Sequence, residues 1–217
     1  MKKILLPIYN WFYWKTTYLS IWFIRQLIFD NPIVNLYYDR KFGVHTAWKN
    51  QGDADVYGCW PSAYSHLRKI FKSFPVGKDT NLLDVGCGLG RAAFFIHSIG
   101  ADKVTGIEIN SVVFSKTMNN LSSYKKRNSN IIFLNCDATT YNYDGYNVIY
   151  ISNPFPVHIL DKVLNGIYSS YIRKQRIINI IYFDGGYNFE CREFIRHVKY
   201  LHVHKKIDST TNIYRVG

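Results

Sequence analysis

No C-x-x-C pair occurs in the 217 residues: Cys59, Cys87, Cys136 and Cys191 stand far apart, with no histidine at ligand spacing. A zinc ribbon and a disulfide framework are thereby excluded, no metal is implied, and a reducing cytoplasm is the simplest setting, with the inner membrane face as its border. No uninterrupted apolar run approaches the ~20 residues that span a bilayer. No small-residue cleavage site follows a short apolar core, so neither a transmembrane helix nor a signal peptide is expected. Internal repeats and low-complexity tracts are missing too, which leaves a globular chain long enough for a single well-filled core. Acids are scarce, 15 Asp and Glu against 27 Lys and Arg, for a formal net charge of +12. The cations are scattered through both halves and form no long run. That balance admits nucleic acid or an anionic membrane surface as partner, but no recognisable nucleic-acid module is present, so nucleic acid is not the favoured one.

Aromatic rings, by contrast, are abundant at the amino end. Tyr9, Trp11, Phe12, Tyr13, Trp14, Tyr18, Trp22 and Phe23 share the first thirty residues with Lys2, Lys3, Lys15 and Arg25. Rings interleaved with cations suit the interfacial zone of a membrane, where amphipathic helices lie flat; they suit equally a cap folded over the domain or a dimer contact. From Gly43 to Gly58 a polar passage with few core signals beyond Val44, Trp48 and Val56 reads as a mobile lid or linker. The chain thus divides into an amino-terminal arm and lid over 1–60 and a domain over 61–217. A helix is expected from Trp60-Pro61-Ser62 to Phe74, with Pro61 in its first turn. Tyr57, Trp60 and Tyr64 near its start either stack on a bound ligand or simply pack.

The most informative stretch is Leu82-Leu-Asp-Val-Gly-Cys-Gly-Leu-Gly-Arg91. Leu82, Leu83 and Val85 form an apolar strand, Gly86, Gly88 and Gly90 free the backbone to bend sharply against a ligand, and Ala92 to Ile99 has helical composition. Dinucleotide turns usually read G-x-G-x-x-G and offer a helix N-terminus to a pyrophosphate. Here the spacing is G-x-G-x-G, and Arg91 stands where the last glycine would be. Asp84, just before the turn, suits a cationic ligand better than a phosphate. S-adenosylmethionine carries a sulfonium and an ammonium and no phosphate, so a carboxylate attracts it by Coulomb terms. A Rossmann-like turn without any nucleotide is the plainer alternative.

A second strand, Lys103 to Ile107, ends at Glu108, about 20 residues past the glycines, where an acid commonly accepts both hydroxyls of a ribose. Glu108 also reads as an ordinary acid before the helix that runs from Asn110 to Ser123. Ile131 to Asn135 is a third strand, followed by Cys136-Asp137-Ala138, and Asp137 is placed to receive an adenine amino group. Asn147 to Ser152 is a fourth strand, ending in the corner Asn153-Pro154-Phe155-Pro156. Acids at successive strand ends around one glycine turn converge on a single crevice in an open parallel sheet.

Asp84-Val-Gly-Cys-Gly-Leu-Gly90, Glu108, Asp137 and Asn153-Pro-Phe-Pro156 together resemble the class I S-adenosylmethionine-dependent methyltransferases, over roughly residue 61 to the end. The resemblance implies an α/β, Rossmann-like, mostly parallel sheet with a terminal antiparallel hairpin, to which this chain adds an α-helical amino-terminal appendage. It implies S-adenosylmethionine as cofactor, held by Asp84, Gly86, Cys87, Gly88, Gly90 and Arg91 at its methionine part, by Glu108 and Ile109 at the ribose, and by Asp137 and Ala138 at the adenine. Asn153, Pro154 and Phe155 would face the acceptor, and Asn153 the cofactor as well. Asp39-Arg-Lys-Phe-Gly-Val44 and the Asn-Pro-Phe corner are similar to segments of an uncharacterised bacterial group of these enzymes. The corner resembles less well the Asn-Pro-Pro-Tyr/Phe corner of amino-methylating enzymes, because Phe155 replaces the second proline. His158, just after it, is the candidate base, and also reads as a solvent-facing histidine.

Towards the carboxyl end, Val157 to Tyr171 is helix-like and Arg176 to Phe183 reads as a buried fifth strand, ended by Asp184-Gly185-Gly186. Phe189 to Tyr200 is a further helix. Leu201 to Ile207 and Asn212 to Val216 are strands of a hairpin. The leading functional expectation is methylation of a small-molecule or glycan-linked acceptor. The alternatives are N-methylation of protein or nucleic acid, and a non-catalytic cofactor-binding subunit.

Overall fold

The computed structural model describes residues 32–47, 58–126, 130–153, 155–186 and 188–217; the expectations for the arm over 1–30, for Tyr57 and for Pro154 lie outside the described residues. Five strands, β1 (Asn81–Val85), β2 (Lys103–Glu108), β3 (Ile131–Asn135), β4 (Val148–Ser152) and β5 (Asn179–Phe183), run parallel. The hairpin β6 (Leu201–Lys206) and β7 (Thr211–Val216) joins them antiparallel, and the sheet order is β3-β2-β1-β4-β5-β7-β6. The central strands are near-continuous apolar runs because helices cover both faces. On one face lie α1 (Pro32–Phe42), α2 (Tyr64–Ser73), α3 (Arg91–Ser98) and α4 (Ser111–Ser123), packed around Leu82, Val104, Tyr150, Ile181 and Ile213. On the other, α5 (Val157–Arg173) and α6 (Phe189–Arg196) pack on Leu83, Ile107, Ile149, Ile180 and Tyr214. The strand order reverses between β1 and β4, and a crevice opens there outside the carboxyl ends of the strands.

Several expected boundaries move, each for a local reason. The helix expected from Trp60 starts at Tyr64, so Pro61 precedes it instead of sitting in its first turn. Ser62 is held off the helix by hydrogen bonds of 2.9 Å between its hydroxyl and those of Tyr150 and Ser152. β5 starts at Asn179, not Arg176, because the Arg176 guanidinium is drawn to the carbonyls of Tyr146 and Tyr143 and to Ser170. The lid reading fails for residues 43–47. Val44 is buried in the core, Thr46 is fully buried, and the Gly43 and Val44 N–H groups donate to the Asp39 carbonyl.

Candidate functional site

β1 delivers Asp84 to the crevice and runs into the glycine turn, where Gly86, Gly88 and Gly90 adopt φ of 69°, 54° and 82°. Only glycine fits at two of these on space as well as conformation. A Cβ on Gly88 would meet Cys59 Sγ at 2.8 Å, and one on Gly90 would meet Phe133 Cζ at 2.7 Å. The turn is fastened from behind. Cys87 N–H donates to Ile107 O, Thr117 Oγ1 to Gly88 O at 2.6 Å, and Asn120 Nδ2 to Leu89 O at 3.1 Å. Cys87 is itself buried, and desolvation pushes its thiol well up, which makes it a packing residue.

The three acids divide sharply by environment. Glu108 is nearly buried and accepts from the Gly88 N–H at 3.1 Å on one oxygen and from the Asn110 N–H at 2.8 Å on the other. It therefore joins the turn to the end of β2, with Asn135 Nδ2 clasping the Glu108 and Ile109 carbonyls at 2.7 and 3.0 Å. Burial raises the Glu108 pKa against these N–H donors. Asp84 is buried, and burial raises its pKa to about 7 against the opposing pull of the Ala93 N–H. Its Oδ2 has no hydrogen-bond partner, a costly state for a carboxylate unless a cation completes it. That vacancy of partners fits a ligand with an ammonium and a sulfonium. Asp137 is exposed and caps the 3-10 turn Ala138–Thr140 through the Thr139 N–H, while the Ala138 carbonyl accepts from Tyr143. Ile109 lies exposed beside Glu108.

At the ends of β4 and β5 the structure gathers, around Asn153 of the expected corner, groups that no motif announces. The Ser62, Tyr150 and Ser152 hydroxyls form one hydrogen-bonded chain. Asn153 holds φ at 42°, the left-handed region, and its Oδ1 accepts from Asn188 Nδ2 at 2.7 Å. Asn188 in turn caps α6 through the Cys191 N–H. His66 of α2 packs on Phe183 with 4.1 Å between ring centroids, its Nε2 3.1 Å from Thr211 Oγ1. Burial lowers the His66 pKa, so it is neutral near pH 7. Asparagine and serine at strand ends are frequent everywhere. Only Asn188, followed by a helical pattern, carried a cap signal that sequence reading could have used.

Four expectations are corrected. Arg91 does not face a ligand: it is buried, its Nε donates to Thr46 Oγ1 at 2.6 Å, and its guanidinium lies 5.0 Å over the Tyr64 ring. Tyr64 is fully buried and donates to Asp39 Oδ1 at 2.8 Å, so it is unable to stack on a substrate. Phe155 is turned into the core, where its carbonyl accepts from the Cys191 thiol. His158 is exposed on the first turn of α5, which deprives it of the enclosed setting expected for the base. Trp60 remains exposed. A shallow cavity of about 690 Å³ opens at the opposite, amino-terminal edge of the sheet, lined by Asn81, Asn147, Arg176 and Asn179, and has no part in the crevice.

Residues 82–173 match the model of a family described as a methyltransferase domain. Comparison with the curated proteins finds no match. Among solved structures the chain is similar to the ribosomal protein L11 methylase of Lactobacillus delbrueckii subsp. bulgaricus, at 13% identity and a TM-score of 0.52 over 70% of this chain and 77% of that one. It is also similar to the precorrin 8W decarboxylase of Methanobacterium thermoautotrophicum, at 18% identity and a TM-score of 0.51 over 73% of this chain and 92% of that one. The likeness to the tRNA (uracil-54, C5)-methyltransferase of Pyrococcus abyssi, at 10% identity and a TM-score of 0.49, covers 73% of this chain but only 40% of that longer one. The first two likenesses establish the fold alone, one that serves more than one reaction. Residues 82–173 are thus a methyltransferase domain on a sheet of class I architecture, and its methyl donor is S-adenosylmethionine.

Proposed function

We propose that the enzyme methylates a small-molecule or glycan-linked acceptor. The observation that carries this reading is the make-up of the acceptor side. Ser62, Ser152, Asn153 and Asn188 offer hydroxyls and amides there, while Phe155, the ring an amine-methylating corner would stack on its substrate, is in the core. Asn153 Oδ1 is already engaged by Asn188, so the corner is a poor receptor for an incoming amine. A rim of uncharged hydrogen-bonding groups suits a hydroxylated small acceptor.

The donor would be held by groups of this chain whose geometry fits it. Asp84 Oδ2 completes its shell with the ammonium of the methionine part, Glu108 retains lone pairs for the ribose hydroxyls, and Asp137 keeps one oxygen for the adenine amino group. Ile109 and Ala138 provide the apolar flank. Bound there, S-adenosylmethionine supplies an electrophilic methyl on sulfur. The contribution of the chain is alignment, since holding acceptor atom and methyl about 3 Å apart and in line supplies a large share of the rate. For a hydroxyl acceptor a proton must leave, and His66, neutral and fixed between Phe183 and Thr211, is the group we assign to take it in place of His158.

The deciding experiment incubates the enzyme with methyl-labelled S-adenosylmethionine and a cell extract, then separates RNA, protein and small-molecule or glycan fractions. Label in the last is expected. Label confined to RNA or protein would replace this reading by N-methylation of a macromolecule, which the net charge of +12 would favour. In titrations with S-adenosylmethionine and its demethylated product, Asp84→Ala and Glu108→Ala should each weaken both ligands. Unchanged affinity in both variants would mean that the crevice has been assigned wrongly.

A further inference from the structure

We propose that the outer face of α1 docks on an anionic lipid bilayer. The helix has two unlike sides. Asn35, Asp39 and Phe42 are buried against the domain, whereas Ile33, Leu36 and Tyr37 are 77%, 53% and 58% exposed. Spacings of three and four residues put these three apolar side chains on one stripe, and Arg40 continues it a turn later. No acid lies on that stripe, because the one acid of α1, Asp39, is turned inward and fully engaged by Thr46 and Tyr64.

Cations border the apolar stripe. Lys41 Nζ lies 6.0 Å from the Tyr37 ring centroid and 5.7 Å from that of Tyr38. The exposed Lys125 is held against the end of α1, its N–H donating to Phe42 O and its Nζ to Arg40 O at 2.8 Å. Three exposed apolar groups with Arg40, Lys41 and Lys125 gathered at the carboxyl end of their helix match what a bilayer interface offers, an acyl boundary beneath anionic headgroups. A protein partner would need acids opposite these cations and a cavity for Ile33. A bilayer needs only both chemistries at the right depth. The sequence leading into α1 has the same character, with Lys2, Lys3, Lys15 and Arg25 among its rings and no acid before Asp30. No helix among the described residues is long and apolar enough to cross a membrane.

This inference is independent of which acceptor is methylated. Its test is flotation of the full-length chain with vesicles of phosphatidylglycerol and phosphatidylcholine, compared with phosphatidylcholine alone, at low and at 0.5 M salt. Binding to the anionic vesicles only is expected, and the charge-neutral double variant Leu36→Ser/Tyr37→Ser should lower the partition coefficient by about tenfold, the scale set by losing two interfacial apolar side chains. Lys41→Glu should lower it as well. Stabilisation by S-adenosylmethionine in a melting assay verifies that each variant is folded. Equal binding to both vesicle types, no binding to either, or full retention of binding by the double variant would each overturn the proposal. The last would show that net charge alone holds the chain to the vesicle.

Discussion

Asp84 concentrates the electrostatics of the crevice in one carboxyl group. Because burial raises its pKa from 3.8 to about 7, the folded chain binds this proton more tightly than the unfolded one. Stability without ligand therefore falls as pH rises through that interval, by roughly 4 kcal/mol at most. A bound cation reverses the trend by favouring the ionised form. The rise in melting temperature caused by S-adenosylmethionine should thus be small at pH 5 and large at pH 8, and Asp84→Asn should flatten the dependence; a gain that shrinks with pH would contradict this account of the acid. Asn153 stores a different strain. A non-glycine residue at positive φ costs on the order of 1 kcal/mol or more, and here the hydrogen bond from Asn188 offsets it. Asn153→Ala keeps the strain and loses the bond, so denaturant unfolding should register a loss of about 1–2 kcal/mol. These two residues also show what a sequence can disclose. Asp84 was legible through the glycines that follow it, whereas the partner of Asn153 lies 35 residues away and has no pattern that spacing could reveal.

Between elements, the decisive contact is that of the glycine turn with β3. The Phe133 ring fills the space beside both Gly90 and Gly106, where added Cβ atoms would stand 2.7 and 2.6 Å from it. Gly106 sits in the middle of β2 at an ordinary φ, so its need for a bare Cα is purely steric. Gly106→Ala should destabilise the chain by about 1–3 kcal/mol in urea unfolding, and adding Phe133→Leu should recover part of it. The strands themselves were legible because continuous apolar runs bounded by turns have few other readings. The start of α2 was less so, because hydrogen bonds between Ser62 and the Tyr150 and Ser152 hydroxyls, 88 and 90 residues distant, decide that it begins at Tyr64. Composition failed at residues 43–47 for a related reason. Thr46 and His45 look like linker residues, yet Asp39 and Arg91 hold Thr46 in the interior and Asn120 fixes the backbone of the exposed His45.

For the molecule as a whole, the segment over 32–47 is part of the cofactor site's foundation. Asp39 takes hydrogen bonds from Thr46 N–H, Thr46 Oγ1 and Tyr64 Oη, Thr46 accepts from Arg91, and Asn120 bridges His45 to the Leu89 carbonyl of the turn. Removing residues 1–47 would uncover Phe42's and Val44's share of the core and strip the Arg91 guanidinium of its hydrogen bond to Thr46. The cost should exceed several kcal/mol, a large fraction of ordinary domain stability. A chain starting at Gly58 is accordingly expected to lack a cooperative melting transition and any S-adenosylmethionine titration signal, while one starting at Pro32 keeps both. The buried bond between Thr46 and Arg91 has a consequence for inheritance. Positions 39, 46, 64 and 91 are answerable to one another, so relatives should exchange them as a set, and a chimera that borrows its amino-terminal segment from a homologue should work only when the residue opening α3 travels with it.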